Sequence, residues 1–216
     1  MRRLVLVGAI AAGLACSGGP PAGRMVPAAP PRGWAGELAR ERAAKDAQFR
    51  TDPQTPLLAA DVAGFTGLQY WPPDPRYYFM GPLHAYPQPQ RFTITTTGGA
   101  QRPCEKVGWI EFELEGRPRR LQVYRLLDLE SHGNGEDLFL PLVDATAGEA
   151  TYPAGRYVEL RGAAGGPYVL DFNRAYNPSC AYGDPGRFAC PVTPPENRLD
   201  ARIEAGERGY KHAAGT

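Results

Sequence analysis

Residues 107–116 read VGWIEFELEG, and no other stretch limits the fold so strongly. In an extended chain Ile110, Phe112 and Leu114 point one way and Glu111 and Glu113 the other. Glu115-Gly116 predicts a tight turn. RLQVYRL (120–126) then returns with Leu121 and Val123 on one face and Gln122 and Tyr124 on the other, completing a β-hairpin. From Arg91 onward the same grammar repeats, with short apolar and β-branched runs between turn signals. RFTITTT runs up to Gly98-Gly99, and LFLPLVD (138–144), TYPAGRYVEL (151–160) and PYVLDF (167–172) follow. LDARIEAGE (199–207) alternates through Leu199, Ala201, Ile203 and Ala205 and reads as a last strand.

Short strands without long helices between them predict a mainly β domain, an antiparallel barrel or sandwich of about 7–9 strands. One N-terminal helix is expected, because WAGELARERAAKDAQFR (34–50) is built from strong helix formers and sets Trp34 and Leu38 on one face. Pro53 and Pro56 end it. The aromatic, proline-punctuated segment FTGLQYWPPDPRYYF (65–79) reads as an irregular arm over the core. The helix is expected to pack outside the sheet or to plug one end.

The front of the chain carries a different message. MRR precedes an uncharged apolar run, Leu4 to Ala15, that ends in small residues just before Cys16. A basic head, a short apolar stretch and a small-residue cleavage site make a secretory signal over 1–15, too short for a bilayer span of roughly 20 residues. GLAC resembles a lipoprotein acylation site, with Gly13 where a large aliphatic residue is more usual. Cys16 is therefore the expected lipid attachment, tying the chain to a membrane surface, and unmodified secretion is the alternative. The Gly-, Pro- and Ala-rich segment 16–33 reads as a linker, 34–211 as a single domain and 212–216 as a tail.

Removing Arg2 and Arg3 with the signal takes the formal charge from +1 to −1, so no electrostatic footprint for nucleic acid is expected. Three cysteines remain: Cys104, Cys180 and Cys190. An exported domain permits disulfides, and the local pair Cys180–Cys190 is the preferred bridge, with pairings through Cys104 left open.

DATAGEATYPAGRYVEL, VLDFNRAYNPSCAY, CPVTPPENRL and AGE resemble the bacterial and archaeal family catalogued as domain of unknown function 1684. The resemblance is strongest over 143–207. KDAQFRTDPQTPL, GLQYWPPD and VGWIEFELEG extend it through the N-terminal half. It implies no established activity.

Candidate binding residues gather around the PYVLDF strand: Arg156, Asp171, Asn173, Arg174, Tyr176, Asn177, Asn197 and Arg198, with Asp144 beside them. Arginine offers a planar fork for a carboxylate or phosphate, and asparagine both donates and accepts. Such a set at a barrel mouth suits a small polar or anionic ligand, an envelope polymer or a protein partner. The alternative role is scaffolding, with Arg156 and Asp171 as an ion pair between strands.

No catalytic residues are assigned. An envelope hydrolase using carboxylates or a cysteine at the end of the 167–172 strand is the second reading. His84, His132 and His212 show no spacing that partners a cysteine. No HxH or CxxC spacing occurs, so neither a metal nor another cofactor is expected.

Overall fold

The computed structural model describes residues 23–128, 138–162, 165–183 and 187–210. Cys16, the signal-like segment 1–15, His132, His212 and the tail 212–216 lie outside them.

The strands in chain order are β1 (Val26–Pro27), β2 (Tyr78–Gly81), β3 (His84–Thr95), β4 (Gln101–Leu114), β5 (Arg117–Leu126), β6 (Phe139–Leu142), β7 (Arg156–Arg161) and β8 (Tyr168–Asp171). All pair antiparallel in one curled half-barrel sheet of order β1-β2-β8-β7-β6-β5-β4-β3. The long helix α1 (Trp34–Thr51) and the short α2 (Ala59–Val62) precede β2. The fold is mainly β, as the alternation at 107–126 requires.

That hairpin turns where expected. Leu114 pairs with Arg117 across Glu115-Gly116, both at positive φ (55° and 70°), which suits a two-residue loop. Ile110, Phe112, Leu121 and Val123 are fully buried on the concave face, where they meet Leu140, Val158, Leu170 and Phe172. Each such side chain contributes about 1.5–3 kcal/mol through burial. A register shift between Lys106 and Gly108 swaps faces along β4, so Cys104 packs on the convex side with Tyr124, Phe139 and Tyr157. Gly108 lies where His84 and Ala85 cross, and its missing Cβ would fall 2.4 Å from the His84 carbonyl.

Helix α1 packs on the convex face. Trp34 and Leu38 sit against Tyr78 and Val169, and Phe49 joins Leu57, Phe65, Ala181 and Tyr182 in a second small core. Part of the segment read as a linker is built into the domain. Met25 is fully buried, its N–H donates to the Glu111 carbonyl at 2.7 Å, and Val26 and Pro27 pair with β2.

Residues 199–207 are extended and keep the expected alternation, with Ala201, Ile203 and Ala205 buried, yet they form no strand. Side chains replace the missing ladder. Arg156, fully buried, donates to the carbonyls of Ile203, Ala205 and Glu207 at 2.8, 2.5 and 3.1 Å, while its partner Asp144 accepts from the Ile203 N–H at 3.3 Å. The expected ion pair of Arg156 with Asp171 is thus corrected: Arg156 pairs with Asp144 at 2.7 Å. Asp171 leaves the end of β8 on the convex face and takes Arg174 instead.

Asn197, also fully buried, does comparable work where β5 and β6 diverge after the single pair Tyr124–Phe139. Its amide accepts from the Gln122 N–H at 2.7 Å and donates to the carbonyls of Gln122 and Pro141 at 2.9 and 2.8 Å. The side chain stands in for a peptide group, which satisfies backbone that would otherwise be buried unpaired.

Candidate functional site

A groove of about 650 Å³ lies between the C-terminal half of α1 and the convex face of β6 and β7. Its walls are largely aromatic: Phe49, Phe139, Tyr157, Tyr176, Tyr182 and Phe188. They are there because the outward positions of β6 and β7 carry Phe139 and Tyr157, while the segment after β8 brings Tyr176 and Tyr182 back over them. A second hollow of about 580 Å³ adjoins it and shares Lys45, Phe49, Glu159 and Tyr176. The two form one cleft with Lys45 at its waist.

Lys45 is well placed to set the polarity of the cleft. Its ammonium lies 5.4–5.5 Å from the ring centres of Phe49, Tyr176 and Tyr182 and pairs with the buried Glu207 at 2.7 Å. Cation–ring attraction and the ion pair together fix a charge that still shows 26% of its side-chain surface. Glu207 also accepts from Asn177 Nδ2 at 3.0 Å and from the Tyr182 hydroxyl. Burial and the adjacent Glu207 charge push the Tyr182 phenol well above its ordinary value. Asn177 is buried at 2% exposure, donates to Glu207 and to the Arg208 carbonyl, and leaves its Oδ1 without a partner. That spare acceptor belongs to a residue lining the groove.

Of the eight sequence candidates, Asn173, Arg174, Tyr176 and Asn177 line the cleft. Tyr176 lies at the junction and donates its hydroxyl to Glu159 at 2.6 Å. Asn173 clamps the aromatic arm, accepting from the Asp74 N–H at 2.8 Å and donating to its carbonyl at 2.9 Å. Arg174 is held by Glu41 at 2.9 Å and by Asp171. Asp171, 3% exposed, also accepts from Trp34 Nε1 at 2.8 Å and from Asn173, so it is a closed, fully engaged carboxylate that anchors α1. Arg156 and Asn197 are internal scaffold, as described above, and Arg198 is exposed away from the cleft.

The cysteines are corrected as well. Cys104, Cys180 and Cys190 are all free and buried, and the expected bridge is not formed. Cys180 and Cys190 are nonetheless neighbours, with the Cys180 N–H donating to Cys190 Sγ at 3.2 Å. Hydrogen bonding between the two thiols lowers Cys180 and raises Cys190. Cys190 lines the groove. Among the described residues no three His, Cys, Asp or Glu side chains gather to hold a metal ion.

Sequence reasoning missed Arg42, Lys45, Tyr70, Tyr157, Tyr182 and Glu207. The helix carried a usable signal, since residues 34, 38, 42, 45 and 49 recur at the spacing of one α-helical face.

Comparison with known proteins adds a family and a fold. The model of the family described as "Protein of unknown function (DUF1684)" matches residues 63–208. The solution NMR structure of an uncharacterized protein from Haloarcula marismortui is 35% identical at a TM-score of 0.63, covering 81% of this chain and 94% of that one. No curated protein matches. With a family model spanning more than half of its length and a solved relative of this identity, the chain belongs to the DUF1684 family.

Proposed function

We propose that the chain is a lipid-anchored protein of the bacterial envelope whose β domain binds a small amphipathic molecule in the cleft along α1. The observation that carries the binding half is the groove of about 650 Å³ with six aromatic walls and one fixed ammonium at its waist. Ligand sites are of this kind: apolar cavities of about 300–1,000 Å³ with a few placed polar groups. Asp171, the carboxylate that a hydrolase at the end of β8 would use, is closed beneath Trp34 and Arg174, and so binding is the better-supported reading.

The anchoring half rests on the sequence of residues 1–16. Met25 is part of the core, so the stretch from Cys16 to Met25 spans at most about 30 Å even when fully extended. The domain then sits close to the lipid surface, within reach of amphipathic molecules that partition there. In that oxidising setting Cys180 and Cys190, neighbours through the Cys180 N–H and Cys190 Sγ, are the pair placed to join.

Two experiments test the proposal. Radiolabelled palmitate should mark the protein in its own cells, and Cys16→Ala should remove both the label and membrane fractionation; a Cys16→Ala protein that still fractionates with membranes contradicts the anchor. Thermal shifts of the domain with amphipathic small molecules should rise as binding linkage requires. Ala189→Trp, on the exposed lip, should fill the groove and abolish them. Unchanged shifts in that variant contradict the groove.

A further inference from the structure

The hollow beyond Lys45 has an uneven charge inventory. Four cations line it, Arg42, Lys45, Arg161 and Arg174, against the carboxylates Glu41, Glu159 and Glu207. Lys45 is matched by Glu207, Arg161 by Glu41, and Arg174 by Glu41, Glu37 and Asp171. Arg42 has no carboxylate within ion-pair distance among the described residues, although Asp171 and Glu207 stand near enough to act on its charge. Its Nη groups donate only to the carbonyls of Trp71 and Asn173, at 3.0 and 3.2 Å, and its guanidinium stacks 4.4 Å from the Tyr70 ring centre. Two donors of this stacked pair, Arg42 Nε–H and the Tyr70 hydroxyl, are buried without an acceptor. A half-buried guanidinium and two unmet donors in one place cost stability unless an acceptor joins them.

Building on the groove reading above, we infer that this end of the cleft receives the carboxylate of an amphipathic monocarboxylate, a fatty or aryl-alkanoic acid. Arg42 supplies the charge and Tyr70 a hydroxyl donor, reached by turning their side chains toward the ligand. The apolar body lies over Tyr176 and continues between Tyr157 and Phe139. A guanidinium fork and a phenol suit a planar carboxylate. A second negative charge, as on a phosphate monoester, would meet the field of Glu41, Glu159 and Glu207, which line the same hollow, with no further cation outside an ion pair to offset it among the lining residues. The inference therefore specifies a monoanion.

Calorimetric titration of the mature chain at pH 7 tests this with a ladder of straight-chain acids from hexanoate to decanoate, 4-phenylbutyrate, hexyl phosphate and the matching primary alcohols. The acids should bind at least tenfold more tightly than the alcohols and the phosphate. Arg42→Gln should erase the preference for acids, bringing them to the affinity of the matching alcohols, with circular dichroism showing that the variant is folded. Tyr70→Phe, which deletes only an oxygen, should weaken acids severalfold and to a greater extent than alcohols. Equal binding of acids and alcohols, tighter binding of the phosphate, or an undiminished preference for acids in either variant overturns the inference while leaving the groove standing. If no compound binds any form, the groove reading itself falls, and the inference with it.

Discussion

Arg156 and Asp144 face each other at 2.7 Å with both side chains essentially sealed from solvent, and between them they hold an extended segment that belongs to no strand. The pair shapes the cleft from behind. By fixing residues 203–207 it sets Glu207 under Lys45, and Glu207 in turn positions Asn177 and Tyr182. Such a pair is strongly unfavourable to break from one side, because the charge left behind is buried and unmatched.

Asp144→Ala is accordingly expected to lower the unfolding free energy by about 3–5 kcal/mol in urea denaturation. A loss below about 1 kcal/mol, the range of an exposed pair, would contradict the assignment.

Gly206 occupies the crossing of that extended segment over residues 172–175. Its φ is +77°, and a Cβ there would lie 2.6 Å from the Ala175 carbonyl and 2.7 Å from that of Phe172. Gly206→Ala should cost more than about 1 kcal/mol, since backbone atoms rather than a flexible side chain must move. Equilibrium unfolding decides it, and a neutral effect would mean that the crossing is looser than described.

Alkali should unfold the domain abruptly. Burial raises the phenols of Tyr70, Tyr124, Tyr157, Tyr176 and Tyr182 above their ordinary value of 10.0. The raised values make the contribution of these groups fully present below pH 10, and it is lost as pH climbs above that, where only the unfolded chain ionises. The phenolate absorbance of these five should therefore appear in one cooperative step coincident with loss of circular dichroism. Gradual titration of all the tyrosines near pH 10, with the fold intact, would contradict their burial.

The contact of Cys180 with Cys190 makes a redox prediction. In reduced protein the fully buried Cys104 should resist alkylation until the chain is unfolded, whereas Cys190, at the groove wall, should react in the folded protein. Oxidised glutathione should join Cys180 to Cys190 through a mixed disulfide, each glutathione half leaving as a thiol, with Cys104 untouched. Peptide mapping checks the pairing, and a bridge through Cys104 would contradict the geometry.

Much of the fold was legible because sheet physics is local at the hairpin. Ile110, Phe112, Leu121 and Val123 declare their face by alternation, and Glu115-Gly116 declares the turn. Other strands hid themselves. YFMG in β2 is too short to show a period, and the first half of β3 carries Pro87 and Pro89, which are tolerated because β3 is the sheet edge and its register breaks between Ala85 and Gln90. Residues 199–207 alternate like a strand because they are half buried, but Arg156 and Asp144 take the bonds a neighbouring strand would have taken. Ion-pair partners are a tertiary matter, so Arg156–Asp171 and Arg156–Asp144 could not be told apart in one dimension. The cleft was half legible: Tyr176 and Asn177 follow directly from the end of β8, whereas Lys45 and Arg42 come from a helix more than 100 residues earlier in the chain.

The most direct test of the central claim, that the aromatic cleft beside α1 is a binding site, is native mass spectrometry of the protein isolated from its own cells, comparing the natural chain with Ala189→Trp. The natural chain should carry one small molecule per polypeptide, released on denaturation, and Ala189→Trp should carry none. A natural chain that is bare, or an Ala189→Trp variant that keeps the same molecule, would contradict the claim.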